Sequence, residues 1–312
     1  MTEYKIGAGG WAYFKVPGLN SLETYSKAFN FVEVNSTFYL LPNLRMVESW
    51  RRRAPPDFEF SVRLNRKVTH THKLEPNEES FKILDYTKQI CKILNAKTIV
   101  IQTPETIEYS EEKIKAIKDL LGSLNLDGLR IAWEIRQREG KLPEAITNLM
   151  REHNIIHCVD LSREEPAYKS DHLYTRLFGK GEHNIYQFSD EELKDISSKT
   201  EKKEYNKVTV SFHNVKMYKD AARYKTYKET EKFPSITRYR GLESLRTVLK
   251  EDSKFPSSKE ALIKHQGWKL IDLTEEKRIQ AKELLQKLEE KTYRDAEEVI
   301  RSLQLGKSST QS

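Results

Sequence analysis

Cysteine is scarce in this 312-residue chain: Cys91 and Cys158 are the only two. Two isolated thiols build neither a disulfide framework nor a zinc pattern, and they suit a reducing compartment. Long apolar runs are missing too. Stretches such as "TIVIQ" at 98–102 fall far short of the ~20 residues that cross a bilayer. The opening "MTEYKIGAGG" shows no basic region followed by an apolar one. No signal peptide, no membrane partner and a cytoplasmic location are therefore expected. There is no HExxH, no sequence repeat beyond a βα unit, and the "GAGG" at 7–10 lacks the spacing of a dinucleotide-binding turn.

Charge is plentiful. Lys and Arg number 54 against 47 Asp and Glu, giving +7 and a pI near 9.0. A basic balance favours polyanions, nucleic acid among them. A Lys/Glu-rich surface of the thermophile kind gives the same composition with no partner at all. Two basic runs stand out from the interleaved charges. "SWRRRAPP" holds Arg51, Arg52 and Arg53; "RLNRKVTHTHK" holds Arg63, Arg66, Lys67 and Lys73 around His70 and His72.

Eight short β-rich runs recur, at 4–10, 29–35, 58–64, 98–102, 130–136, 155–161, 173–179 and 207–214. Amphipathic stretches separate most of them, at 20–29, 43–53, 77–95, 110–122, 141–153 and 189–204, with Pro42, Ser110 and Ser189 as helix starts. Strands alternating with helices pair in parallel. Eight such units predict an α/β fold, a (β/α)8 TIM barrel over 1–230. After 230 the chain turns charged and proline-broken, then mostly helical, with Ile279, Leu284, Leu285 and Leu288 near helical spacing. A helical extension over 231–304, packed on the barrel, and a disordered tail over 305–312 are expected.

The strand ends carry the functional signal. Glu33 and Asn35 end the second strand, Arg63 and Asn65 the third, Gln102 the fourth, and Asp160 the sixth. Glu134 and Arg136 lie two apart on the fifth, Tyr174 and Arg176 on the seventh, and His213 and Asn214 close the eighth. In a barrel these ends share one mouth, where active sites form. Arginines with amides grip phosphate or carboxylate. Carboxylates among them supply acid–base chemistry or, with His213, bind a divalent cation. Glu33, Glu134, Asp160 and His213 are thus the catalytic candidates. Trp11, Asn35, Tyr39, Arg63, Asn65, Lys67, His70, Gln102, Arg136, Tyr174, Arg176 and Asn214 are the substrate-binding ones. The metal is unknown; His70 and His72 alone fall short of a catalytic ligand set. Trp11, Tyr13, Phe38 and Tyr39 flank the mouth, either to stack a base or to form a lid. Mid-strand Cys158 reads as a small core residue.

The stretches "IGAGGWAY", "FNFVEVNSTFYLLP", "SWRRRAPPDFEFSVRLNRKVTH", "IVIQTPE", "IAWEIR" and "LYTRLFG" resemble, in order, the family named domain of unknown function 72, the YecE-like proteins. The resemblance spans roughly 4–225, and "VEVNSTFY" and "PPDFEFSVRLNRKVTH" are its specific parts. It implies a TIM barrel like that of the xylose-isomerase-like group, which includes metal-dependent apurinic endonucleases; fold alone does not fix chemistry. By position, the family's motif residues fall on Gly10, Trp11, Glu33, Asn35, Ser36, Thr37, Phe38, Tyr39, Asn65, Thr69, His70, Gln102, Glu134, Arg136, Tyr174, Arg176 and Gly179. The chain departs from the family where Phe178 replaces a usual histidine, His213 an asparagine and Arg63 a lysine. The family's asparagine–alanine pair is not evident around Ala221–Tyr224, and the segment 255–304 exceeds the common core.

The expected function is an enzyme acting on a phosphate-bearing substrate, foremost nucleic acid, as a repair-type nuclease or glycosylase. The alternatives are a sugar-phosphate isomerase or hydrolase and a non-catalytic nucleic-acid-binding barrel. A divalent metal is the cofactor left open, and oligomeric state is undetermined by sequence.

Overall fold

In the computed structural model, residues 2–122, 126, 128–136 and 142–308 are described. The chain divides into two compact units. One holds Met1–Phe178, Ile196–His213 and Met217–Ala222; the other holds Gly179–Asp195, Asn214–Lys216 and Arg223–Ser312.

The first unit is a parallel barrel. Its strands are β1 (Glu3–Ala8), β2 (Phe31–Val34), β3 (Glu59–Arg63), β4 (Thr98–Thr103), β5 (Arg130–Ile135), β6 (Ile156–His157), β7 (His172–Leu177) and β8 (Lys207–Phe212). They hydrogen-bond in the order β6-β5-β4-β3-β2-β1-β8-β7. A parallel bridge between Val159 and Thr175 joins the two ends of that sheet, and Arg176 N donates to Val159 O at 3.1 Å. The expected TIM barrel is therefore present. Its strands are buried on both faces and so read as apolar runs.

Between the strands lie α1 (Ser21–Ala28), α2 (Leu44–Arg53), α3 (Glu78–Leu94), α4 (Glu111–Gly122), α5 (Glu144–Glu152), α6 (Asp190–Thr200) and α7 (Met217–Thr230). Asparagines open the first three: Asn20, Asn43 and Asn77 each accept a backbone N–H of the first turn. Asn43, one residue past Pro42, is thus the true start of α2. Ser110 accepts from Lys113 N. Ser189 and Glu192 form a reciprocal capping box, with bonds of 3.2 and 3.0 Å. On α3 the buried residues Ile83, Leu84, Thr87, Ile90, Cys91 and Leu94 form one helical stripe.

Side-chain parity divides each strand between core and interior. Phe31, Val100, Ala132, Ile156, Cys158 and Tyr174 fill the barrel's centre. Cys158 is thus a core residue, and burial pushes its thiol well above the usual value. Phe60 and Val62 face the opposite way from Ser61 and Arg63.

The second unit is mostly helical, as expected of the C-terminal extension. It contains α8 (Leu242–Asp252), α9 (Lys259–Gln266), α10 (Lys282–Leu285) and α11 (Ala296–Ser308). Two small antiparallel ribbons accompany them: Ser257–Ser258 with Thr292–Tyr293, and Leu270–Asp272 with Arg278–Gln280. Ile279 therefore sits in a ribbon and Leu288 past the end of α10, so that only Leu284 and Leu285 of the expected set share a helix. All four still share one core, because a strand and a short helix bury the same apolar set by different routes. Since α11 runs to Ser308, only 309–312 of the expected tail lie outside the described residues. Among the described residues no helix is long and apolar enough to cross a membrane.

Candidate functional site

The inward-facing residues nearest the strand C-termini form a connected polar ring. Arg176 on β7 is its hub. Its Nε and Nη2 donate to the two oxygens of Glu33 at 3.1 and 3.0 Å, and its Nη1 donates to Glu134. Glu33 also accepts from the Tyr174 hydroxyl at 3.1 Å, which lies 2.8 Å from Ser61 Oγ. Glu134 accepts from Arg136 Nε at 3.0 Å. Glu33 and Arg176 are fully buried. A buried ion pair persists only when hydrogen bonds satisfy the remaining lone pairs, and these do.

The charge states follow from these contacts. Burial pushes the Glu33 carboxyl up, but Arg176, His213 and Arg63 outweigh it and hold it far below the carboxylate range. Burial likewise opposes the charge on Glu134, and Arg176 and Arg136 keep it ionised. Burial disfavours the Arg176 cation, yet Glu134 and Glu33 raise its value further.

His213 lies beside this network. Its Nδ1 is 3.3 Å from Asn35 Nδ2, and its Nε2 is 2.9 Å from Ser211 Oγ and 3.4 Å from Glu33. Asn35 Oδ1 already accepts from Arg63, so the Asn35 amide donates to His213 and the imidazole proton lies on Nε2. Burial and then Arg176 lower His213 below its usual value, so the ring is neutral. Phe178 covers it at 4.9 Å between centroids. Gly9 is required here by close approach: a Cβ on it would fall 2.4 Å from the His213 ring and 2.7 Å from Asn35 Nδ2.

Arg63 is the exception in the ring. It is 8% exposed and makes no ion pair with a carboxylate among the described residues. Its Nη1 donates to Asn35 Oδ1 at 3.0 Å and its Nη2 to Gln102 Oε1, both neutral acceptors. Its guanidinium lies 3.7 Å from the Phe38 ring centroid, and its buried Nε has no partner. Burial, then Arg176, lower its value to about 9. Arg136 is 46% exposed and reaches over Phe178 at 5.5 Å. Three guanidiniums against two carboxylates leave one positive charge in excess.

His70 is the accessible imidazole of the region. It sits on a single π-helical turn, Lys67–Thr71, half-buried, with its ring 5.1 Å from Phe38. Nδ1 lies 2.8 Å from Thr69 Oγ1. Burial, Arg63, Arg66 and Arg136 lower its value, so it is neutral near pH 7.

Glu33, Asn35, Arg63, Gln102, Glu134, Arg136, Tyr174, Arg176 and His213 thus come together, with His70 against Phe38 at their edge. The other candidates take different partners. Asp160 accepts from Ser162 N and Oγ and from Phe178 N, so its carboxylate ties a loop. Asn65 bonds Thr37 O and Lys67 N. Lys67 and His72 both pair with Glu79. Trp11 packs edge-on against Trp50 and Phe60, on the outward side of β3. Tyr39 stands 69% exposed against Phe38. Asn214 belongs to the second unit, where it donates to Tyr186 O. Ser61, Ser211, Phe38 and Phe178 complete the site. The serines were legible only by parity, each two residues before a polar strand end.

A divalent ion held by this ring does not fit the donors. Glu33 and Glu134 already share Arg176, Asp160 is tied to its loop, and His70 and His72 take separate partners. Among the described residues no three His, Cys, Asp or Glu side chains gather as a metal-binding group.

The profile described as protein of unknown function DUF72 matches residues 5–231. The UPF0759 protein YecE of Escherichia coli (strain K12) is 37% identical over 67 residues, 21% of this chain and 25% of that protein. The match thus spans a quarter of the curated relative's length. A DUF72 family protein from Thermotoga maritima MSB8 superposes with a TM-score of 0.60 at 23% identity, over 73% of this chain and 99% of that one. One from Enterococcus faecalis V583 gives 0.58 at 17%, over 74% and 99%. These structures share the fold.

Proposed function

This chain belongs to the DUF72 family, and we propose that its barrel mouth is an active site for a phosphate-bearing substrate. Arg63 carries the proposal: a buried guanidinium with neutral partners and an unpaired Nε supports an anion as its missing partner. The cation is already desolvated, so an arriving phosphate oxygen meets a stronger field than it would at the surface. Arg136, half in solvent, would meet the same group from outside.

His70 is our choice for acid–base work. It is neutral at working pH and reaches solvent near both arginines. With Nδ1–H given to Thr69 Oγ1, Nε2 keeps a lone pair for a substrate proton. Glu33, Glu134, Arg176, Tyr174 and His213 act as positioning residues; Glu33 is too deeply buried to touch a substrate.

The phosphate belongs either to a nucleic acid or to a small sugar phosphate. The net charge favours the first. Tyr13 and Tyr39, 80% and 69% exposed on the loops after neighbouring strands β1 and β2, offer surface for a base. Nuclease and glycosylase assays on damaged and undamaged DNA, beside sugar-phosphate isomerisation and hydrolysis, each with and without divalent metal, separate the two. Arg63→Met should raise KM, or weaken inorganic phosphate binding, by roughly ten- to a hundredfold, the worth of a charge-assisted hydrogen bond. His70→Asn should lower kcat and flatten the acidic limb of the pH profile. Equal phosphate affinity in wild type and Arg63→Met would sink the proposal.

A further inference from the structure

The second unit contains a cavity of about 330 Å³ lined by Ile185, Val215, Lys216, Asp252, Lys264, His265 and Trp268. Its size lies at the low end for small-molecule sites. The indole of Trp268 forms one wall, fixed by its Nε1–H bond to His265 O at 3.0 Å. Ile185 and Val215, both about half exposed, form an apolar wall, and Val215 N is tied to Asn184 O at 2.9 Å.

Charge is arranged around this apolar floor. Lys216 and Lys269 place their ammonium groups 5.9 and 5.7 Å from the Trp268 ring centroid. Lys216 pairs with Glu251 at 2.9 Å, and Lys269 with Asp252. Lys264 is exposed and has no ion pair among the described residues. Three ammonium groups therefore face two carboxylates, and Lys264 is the uncompensated one. A flat apolar wall beside a surplus positive charge matches a ligand with an aromatic ring at one end and an anion at the other.

We propose that this cavity binds one nucleotide unit, its base against Trp268, Ile185 and Val215 and its phosphate at Lys264 and Lys216. The unit is either a free nucleotide or part of a single strand. This site shares no residue with the barrel mouth and does not rest on the role proposed there.

The test is a titration of the full chain with AMP and with an oligodeoxyadenylate of about ten nucleotides, a length matched to single-strand sites. Adenosine and ribose 5-phosphate serve as half-ligands. Because the mouth is itself proposed to take phosphate, the titrations are run on Arg63→Met; saturable binding is expected to persist there and to weaken at least about tenfold when Lys264→Glu or Trp268→Leu is added. Each half-ligand should bind at least about tenfold more weakly than AMP. Tighter binding of the oligomer assigns the site to a strand; equal or weaker binding assigns it to a free nucleotide. Lys264 is exposed, so its variant folds even if the tryptophan variant does not. Failure of both probes to saturate overturns the proposal. So does affinity that ignores Lys264→Glu, or that disappears in Arg63→Met instead.

Discussion

Replacing Arg176 with methionine keeps most of the side chain's length and removes its charge. The structure says what is left behind. Glu33 loses both guanidinium bonds and keeps Tyr174 and a neutral His213. Glu134 keeps Arg136 alone. Stranding a buried charge in this way costs about 3–5 kcal/mol. The acid response then separates lost charge from lost packing. In the wild type, Glu33 is held below its ordinary 4.5, so its contribution is present above that pH and disappears as pH falls. In the variant, burial is no longer outweighed and Glu33 rises above 4.5. Acidification then protonates it and relieves the stranded charge. The deficit between the two proteins should therefore be largest near neutral pH and shrink steadily on acidification. Urea unfolding of both, in parallel from about pH 8 to about pH 5, measures it, because titrations common to both proteins cancel in the difference. A deficit that stays constant across this range would mean that packing, not charge, holds the hub. No deficit at all would mean that the ring is not closed around Arg176.

Two further outcomes follow from other parts of the barrel. Burial lowers His157 to about 4 and His172 to about 3, from an ordinary 6.5. Both are neutral in the fold and charge on unfolding, so stability is full above 6.5 and falls below it, by roughly 2 kcal/mol per histidine between pH 6.5 and 5. His172→Gln should remove its own share, roughly 2 kcal/mol of the fall between pH 6.5 and 5, read by urea unfolding; an unchanged slope would place His172 in water. Gly9→Ala should push the His213 ring away from Asn35 and displace Arg63 through the same amide. It should weaken phosphate binding with less effect on unfolding than Arg176→Met, and unchanged binding would show that the Asn35 link carries nothing.

The barrel was legible because each strand is short, apolar and bounded by an amphipathic helix, and because parity is strict. Two-residue spacings such as Glu33/Asn35 and Tyr174/Arg176 gave the ring directly. Partner choice was not legible. Asp160 reads as a strand end beside Glu134, but β6 stops at His157, and Ser162 and the Phe178 amide bond its carboxylate. Lys67 and His70 are three residues apart in sequence, yet the π-helical turn sends one to Glu79 and the other to Phe38. The ribbons of the second unit were hidden because strands of two or three residues carry no periodicity. Phe178, read as a loss against the family pattern, covers His213 and lies under two guanidiniums at 5.2 and 5.5 Å.

The opposite end of the same barrel serves as an internal control for the role given to Arg63. There too, inward residues carry charge, here only partly buried: Lys5 lies 3.1 Å from Glu3 and 3.8 Å from Glu59, and Lys207 donates to both Glu59 oxygens at 2.7 Å. Each of those ammonium groups has a carboxylate, as a structural pairing requires. A cation on the inner face of the barrel is therefore no sign of function by itself. What sets the mouth apart is a guanidinium that is as buried as its neighbours but offered only amides and an aromatic face. Replacing Arg63 by an apolar residue would relieve its repulsion by Arg176 and its desolvation. Against that relief stand the lost bonds to Asn35 and Gln102 and the lost attraction for Glu33 and Glu134, so the replacement should cost much less than Arg176→Met. Arg63→Met that unfolds close to wild-type urea while losing phosphate would mark a residue retained for an anion rather than for the fold. Arg63→Met that is as unstable as Arg176→Met would instead make Arg63 one more structural member of the ring.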